Sequence, residues 1–435
     1  MRRILSAVVV GVAALVIGAP SLAGVTVIRC GWLLAVPGQS PMRHATVVVE
    51  DGVIREILPR SAEPTRSVVG AEVVDLSDRF VLPGLIDCHT HVTGQMSPDF
   101  ALRAVQDSEA DVAIQATVYA KRTLSAGFTT IRNLGSDGDS AFALRDAINA
   151  GVVPGPRILC AGRAITPTGG HGDVHGYREG LLEIPTEYQG VADGPDSCRK
   201  AVRAQVKRGA DVIKMTATGG VLSRIGAGVE QQFFPDELEA IIEAAHLLGK
   251  KVAAHAHGTN GINAALRAGI DSIEHGSYMD DESISLFLKT GAYYVPTLMA
   301  GEATMLAATN NPDYFVPEVR AKALAVGPEM IISFGKAHEA GVKIAFGTDS
   351  GVSPHGQNAR EFELMVEGGM SPAEAIVTAT VNAADLLGLS DQIGTIEVGK
   401  RADLIAVAGD PTRDVSTLRA VSFVMRDGRV FKNQP

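Results

Sequence analysis

Val81-Leu-Pro-Gly-Leu-Ile-Asp-Cys-His-Thr-His91 is an apolar run whose last residues alternate as His-Thr-His. Residues two apart share one face of a strand, so His89 and His91 aim the same way from one rigid element. Such a pair can grip a single ion, whereas helical ligands would sit three or four residues apart. Two core histidines would leave the same pattern. The segments further along the chain decide between these readings.

Lys214 lies in Ala210-Asp-Val-Ile-Lys-Met-Thr-Ala-Thr-Gly-Gly220, where its ammonium would be buried among Val212, Ile213 and Met215. Desolvation pulls a lysine below its ordinary pKa of about 10.4 and frees a nucleophilic amine. That amine can add carbon dioxide, and the two oxygens of the resulting carbamate can bridge two cations. Alone, the segment better fits a lysine that reaches solvent or pairs with a carboxylate. Val252-Ala-Ala-His-Ala-His-Gly258, Ser272-Ile-Glu-His-Gly276 and Lys343-Ile-Ala-Phe-Gly-Thr-Asp349 add His255, His275 and Asp349, again at the ends of strand-like runs.

Strand-like runs near 82–92, 128–134, 157–162, 212–218, 252–257, 272–275, 293–298 and 343–349 alternate with helical patterns such as 110–126, 235–248, 260–268 and 372–387. Eight βα units predict an α/β fold of the (β/α)8 TIM-barrel type, with its active site at the C-terminal ends of the strands. All six candidate ligands fall there. Segments 25–75, 402–407 and 422–431 instead read as antiparallel strands flanking the barrel.

These motifs, with Gly127-Phe-Thr-Thr-Ile-Arg132, Gly169-Gly-His-Gly-Asp173 and Gly399-Lys-Arg-Ala-Asp-Leu404, resemble the subtype I binuclear amidohydrolase superfamily. Within it the chain is most similar to the imidazolonepropionase-like group of metal-dependent Xaa-Pro and Xaa-Arg dipeptidases. The resemblance runs over nearly the whole mature chain. It implies that both chain ends merge into a small β-sandwich (24–81 and 393–435) around a barrel at 82–392. It also implies two divalent ions, one on His89, His91 and Asp349 and one on His255 and His275. The carbamate of Lys214 (N6-carboxylysine) and a hydroxide would bridge them. Nitrogen and oxygen donors suit zinc, with manganese or cobalt as alternatives. Two cations bring the pKa of bound water from 15.7 towards about 7. Asp349 would take the proton during attack on an amide carbonyl and return it to the departing amine.

His257 shares a strand face with His255, which makes it a substrate or oxyanion contact or a buried structural histidine. His171, in a glycine-rich loop, is a candidate to polarise the carbonyl or hold a substrate carboxylate. Arg224 offers a guanidinium fork for a C-terminal carboxylate. Phe234 stands near the place where some relatives carry a tyrosine. Leu222, Phe233, Leu298, Met299 and Met305 complete an expected apolar or adaptable rim, which leaves hydrophobic, proline-like and cationic C-terminal residues level. His175 and His355 read as solvated loop residues.

The expected substrate is a small dipeptide or N-acyl amino acid. Alternatives are other amides, such as ochratoxin-type amide-linked phenylalanine, and a cyclic-amidase or imidazolonepropionase-like reaction. Superfamily deaminases usually carry His-x-x-Glu after the fifth strand, but here Gly258 stands three residues after His255. A silent scaffold would have lost a ligand, and none is missing.

The chain has 435 residues, 46% of them hydrophobic and 20% charged, enough to bury a large core. A formal net charge of −10 argues against nucleic acid or an anionic membrane as partner. Arg2 and Arg3, the apolar run Ile4 to Ile17 and Ser21-Leu-Ala23 read as a secretory signal over 1–23, cleaved near Ala23 and Gly24, for a periplasmic or secreted enzyme. The apolar run is short of the roughly 20 residues a spanning helix needs, so no stable membrane insertion is expected. Cys30, Cys88, Cys160 and Cys198 lack Cys-x-x-Cys spacing and are expected as buried free thiols, with Cys88 facing away from the metals. The resemblance implies a symmetric homo-oligomer.

Overall fold

The computed structural model describes residues 24–434 except 60, 61, 63, 65–67, 179 and 225–227. The expected signal over 1–23 lies outside the described residues. Fifteen strands are described. The first five are β1 (Val25–Leu33), β2 (Met42–Arg43), β3 (Thr46–Glu50), β4 (Val53–Leu58) and β5 (Glu72–Pro83). Seven follow in the middle of the chain: β6 (Leu85–Thr90), β7 (Phe128–Asn133), β8 (Arg157–Cys160), β9 (Ile213–Thr216), β10 (Val252–Ala256), β11 (Ser272–His275) and β12 (Tyr293–Val295). The chain ends on β13 (Leu404–Val407), β14 (Phe423–Arg426) and β15 (Arg429–Asn433).

Both chain ends share one eight-stranded sheet, ordered β15-β14-β13-β5-β1-β3-β4 with β2 beside β1. Its pairs are antiparallel as expected, except that β1 and β5 run parallel. The chain passes through β2, β3 and β4 between them, the kind of crossover a parallel pair needs. Ile28, Val47, Ile54, Leu404 and Phe423 fill the core on this sheet.

The middle of the chain forms two parallel sheets, β6-β7-β8 and β12-β11-β10-β9. Except for alternate residues of β8 they are buried throughout, as expected for parallel strands covered on both faces. Past β8 the chain reaches the second sheet: Asp211 N donates to Cys160 O at 2.8 Å, and Ile165 donates to Lys214 O at 2.8 Å and accepts from Thr216 N at 2.9 Å. Segment 343–349 forms no regular strand, yet it bonds to both flanking strands. Tyr294 N donates to Lys343 O and Cys88 N to Phe346 O, each at 2.8 Å.

Helices follow these strands and turn apolar faces inward. Glu109–Ser125 begins at a Ser108/Asp111 capping box and buries Ala116, Tyr119, Ala120 and Leu124. Between β12 and segment 343–349 lie two helices, Leu298–Asn310 and Pro317–Glu339, packed closely at glycines. A Cβ on Gly301 would lie 2.6 Å from Met330 Sδ, so a larger residue there would displace the thioether. The four cysteines are buried and free. Cys88 packs with Ile86, Val295 and Ala345, on the side away from the histidines. No helix among the described residues is long and apolar enough to cross a membrane.

Candidate metal centre and active-site pocket

The site is built at strand ends, where three residues other than glycine adopt the left-handed backbone: His275 (φ 72°), Thr297 (φ 50°) and Asp349 (φ 56°). Side chains disfavour that region by about 1–2 kcal/mol each, and such strain gathers at functional sites where the surroundings enforce it.

Hydrogen bonds decide which nitrogen of each imidazole keeps a lone pair. His89 Nδ1 donates to Glu274 Oε2 at 2.8 Å, and His91 Nδ1 to Gly135 O at 3.1 Å. The Thr297 hydroxyl gives its proton to Pro296 O at 2.7 Å, so it accepts from His275 Nδ1, also at 2.7 Å. All three rings therefore present a bare Nε2. His255 is reversed, with Nε2 donating to Gly219 O at 3.2 Å and Nδ1 left free. Burial keeps His89, His255 and His275 neutral: it pulls His89 down to about 4, and His255 and His275 well below the ordinary histidine value.

Asp349 Oδ1 lies 3.5 Å from His89 Nε2 and 3.2 Å from His91 Nε2, and it accepts no hydrogen bond. Burial opposes its charge, yet His89, His91 and Lys214 hold the carboxyl down at about 2. Bare lone pairs and a carboxylate thus converge on one space with no proton between them. A cation resolves that repulsion, so the donor set fits a metal.

Among the described residues, two groups bring donor atoms within 4.8 Å of one another: His89, His275 and Asp349, and His255, His257 and His275. His275 belongs to both. His257, expected as a substrate contact, thus also stands among potential ligands. Lys214 is buried against the same cavity, where desolvation pulls its amine down to about 8 despite Glu274 and Asp349.

The cavity is about 250 Å³ and contains every predicted ligand together with His171 and His257. The His171 ring stacks on His255 with centroids 4.2 Å apart, and its buried Nδ1 has no partner. His257 Nδ1 meets Ser277 Oγ at 2.7 Å. Burial pulls both His171 and His257 down to about 3.

Arg224 and Phe234 are not brought to the cavity. Arg224 is exposed beside Gly176. Phe234 is 72% exposed at the start of helix Pro235–Leu247, where Pro235 and the capping Glu237 fix the chain direction and leave the ring outside. Of the expected rim, Leu222 lines the cavity, whereas Phe233, Leu298 and Met299 are buried in the core. His355 is also buried rather than solvated, stacked on Tyr119 with its Nε2 bonded to Gly94 O at 2.8 Å.

Sequence reasoning missed Glu274 and Arg132, an ion pair at 2.8 Å that is buried beneath His89. Burial opposes the Glu274 charge, but Arg132 and His89 hold it down at about 2. The signal was present as opposite charges in the middle of two buried strands, each needing a partner. Thr297 and Ser277, which orient His275 and His257, carry no such signal.

Neutral imidazoles, an ionised aspartate and a depressed lysine gathered at parallel strand ends of a mixed α/β fold are the build of a metal-dependent hydrolase. The chain belongs to the amidohydrolase family, whose description matches residues 80–431. It is 34% identical to ochratoxinase from Aspergillus niger, over 96% of this chain and 89% of the relative. Imidazolonepropionase from Rhizorhabdus wittichii is 29% identical over 88% and 94% of the two chains. The crystal structure of a Xaa-Pro dipeptidase with bound methionine in the active site superposes with a TM-score of 0.89 at 42% identity, covering 94% of this chain and all of that one. The protein is a hydrolase acting on amide bonds, of a metal-dependent family.

Proposed function

We propose that the protein releases the C-terminal amino acid from dipeptides or N-acyl amino acids by metal-assisted amide hydrolysis. The convergence of the His89, His91 and His275 lone pairs on Asp349 Oδ1 carries this reading. His89, His91 and Asp349 would hold one divalent ion and His255 and His275 a second, with Lys214 between them as its carbamate. The nitrogen and oxygen donors favour zinc. When bound, the ions supply Lewis-acid activation of water and of the carbonyl.

Asp349 is ionised at neutral pH and takes the proton of the attacking water. It then passes that proton to the amide nitrogen, a poor leaving group until protonated. His257, fixed by Ser277, and His171, with its unpartnered Nδ1, contact the substrate carbonyl or carboxylate. Closed circuits of backbone hydrogen bonds through Ile165 and segment 343–349 support a (β/α)8 barrel over 82–392, with the shared terminal sheet as the β-sandwich of 24–81 and 393–435. The leader pattern over 1–23 supports a periplasmic or secreted enzyme, and the family resemblance supports a homo-oligomer.

Similarity to ochratoxinase favours a second reading, hydrolysis of other amides of phenylalanine. The test is the zinc-loaded protein against N-acetyl amino acids and dipeptides, read as released amino acid. Turnover tracking the C-terminal residue is expected. Ammonia release or ring opening of nitrogen heterocycles, without amide cleavage, would overturn the proposal.

A further inference from the structure

The cavity has two chemically distinct walls. One is the metal-ligand side, and the other comes largely from the two helices between β12 and segment 343–349. Ala300, Gly301 and Thr304 of Leu298–Asn310, with Val326 and Met330 of Pro317–Glu339, form that second wall. All five are at least nine-tenths buried or are glycine. Among the described residues, Asp349 is the only carboxylate lining the cavity, and it belongs to the metal side.

Lys322 adds a positive charge nearby. Its ammonium donates to Gly220 O and Ser223 O, each at 2.7 Å, and so pins the loop that carries Val221 and Leu222. A cationic substrate side chain would meet a like charge and no counter-ion, at a steep desolvation cost. An apolar side chain would lose only water.

The depth of the wall is set at one contact. A Cβ on Gly301 would sit 2.6 Å from Met330 Sδ, so the thioether fills the notch that the missing side chain leaves. Methionine has three rotatable side-chain bonds and repacks around different shapes.

Resting on the amide-hydrolase reading above, we propose that this helical wall selects an apolar side chain on the C-terminal residue, with the Gly301–Met330 contact as its adjustable floor. Dipeptides and N-acyl amino acids share only that residue, so an apolar wall in the same cavity as the candidate metal ligands is placed to recognise it.

The test is kcat/KM of the zinc-loaded enzyme on Ala-Xaa dipeptides, with Xaa as Ala, Leu, Met, Phe, Lys, Arg and Glu. Leu, Met and Phe are expected to exceed Ala by about tenfold, and Lys or Arg by about 100-fold. Gly301→Ala pushes the thioether into the cavity and lowers the Phe-to-Ala ratio about fivefold, and Met330→Ala raises it by a similar factor. Met330→Leu, a swap that cores tolerate, repeats the ratio test should the alanine variant not fold. Equal or better cleavage of the Lys and Arg substrates overturns the inference while leaving the amidase reading intact. Variants that slow all substrates in proportion overturn the role of the Gly301–Met330 contact. No cleavage of any member overturns the dipeptidase reading, and the inference with it.

Discussion

Asp349 and Lys214 are pulled away from their ordinary ionisation by the same buried surroundings, and each shift sets up a reaction. Asp349 stays ionised to about pH 2, so at neutral pH its carboxylate is unprotonated and open to the proton-shuttling role proposed above. Asp349→Asn is expected to fold but to lose about 10²–10⁴ in kcat, read by steady-state kinetics. Lys214 titrates near 8, and only its neutral amine adds carbon dioxide. Reactivation of metal-free protein by zinc at a fixed concentration of dissolved carbon dioxide should therefore speed up as pH rises through 8 and level off above it. A rate independent of pH between 6 and 8 would refute a carbamate-forming amine. Lys214→Ala should lose metal and activity together, with partial recovery in added short carboxylates. Normal metal content in that variant would refute the carbamate.

At the scale of elements, strand ends supply the candidate ligands and the buried strand interiors orient them. Glu274, in β11, holds His89 from behind through Nδ1 while paired to Arg132 of β7. Glu274→Gln should weaken metal binding about 10–100-fold, measured by competition with a chromogenic chelator. Helix Leu298–Asn310 shows how register escapes a sequence reading. Leu298, Met299 and Met305 are its bulkiest apolar residues early on, yet Ala300, Gly301 and Thr304 face the cavity. The buried carboxylate of Glu361 accepts from Leu298 N at 2.8 Å and Met299 N at 2.7 Å, which fixes the start and rotation of the helix. Glu361→Ala leaves two buried amides unpaired and should cost about 2–4 kcal/mol, read from urea unfolding.

Across the whole molecule, stability joins the parallel-strand body to the terminal sheet. Arg157 of β8 donates to Thr130, to Asp403 at 2.8 Å and to Asp427 at 2.6 Å, with its side chain 16% exposed. Arg157→Ala should cost about 2 kcal/mol and lower Tm while leaving the metal cavity formed, as metal content would report. Chelation should also lower Tm, because the converging donors are relieved only by cations. Free metal at 100 times its Kd would return about 2.7 kcal/mol. The sequence by itself determined the alternation of strands and helices, the order of the six candidate ligands and their gathering near strand ends, because period-two alternation and apolar runs are local properties. It also placed His171 and His257 in the pocket, since one shares a strand face with a ligand and the other follows a glycine-rich turn. Only the tertiary structure decided the tautomers of the histidines, the left-handed turns at His275, Thr297 and Asp349, the exclusion of Arg224 and Phe234, and the apolar wall at Gly301 and Met330. Each of these depends on contacts between residues far apart in the chain, and local propensity carries no record of them.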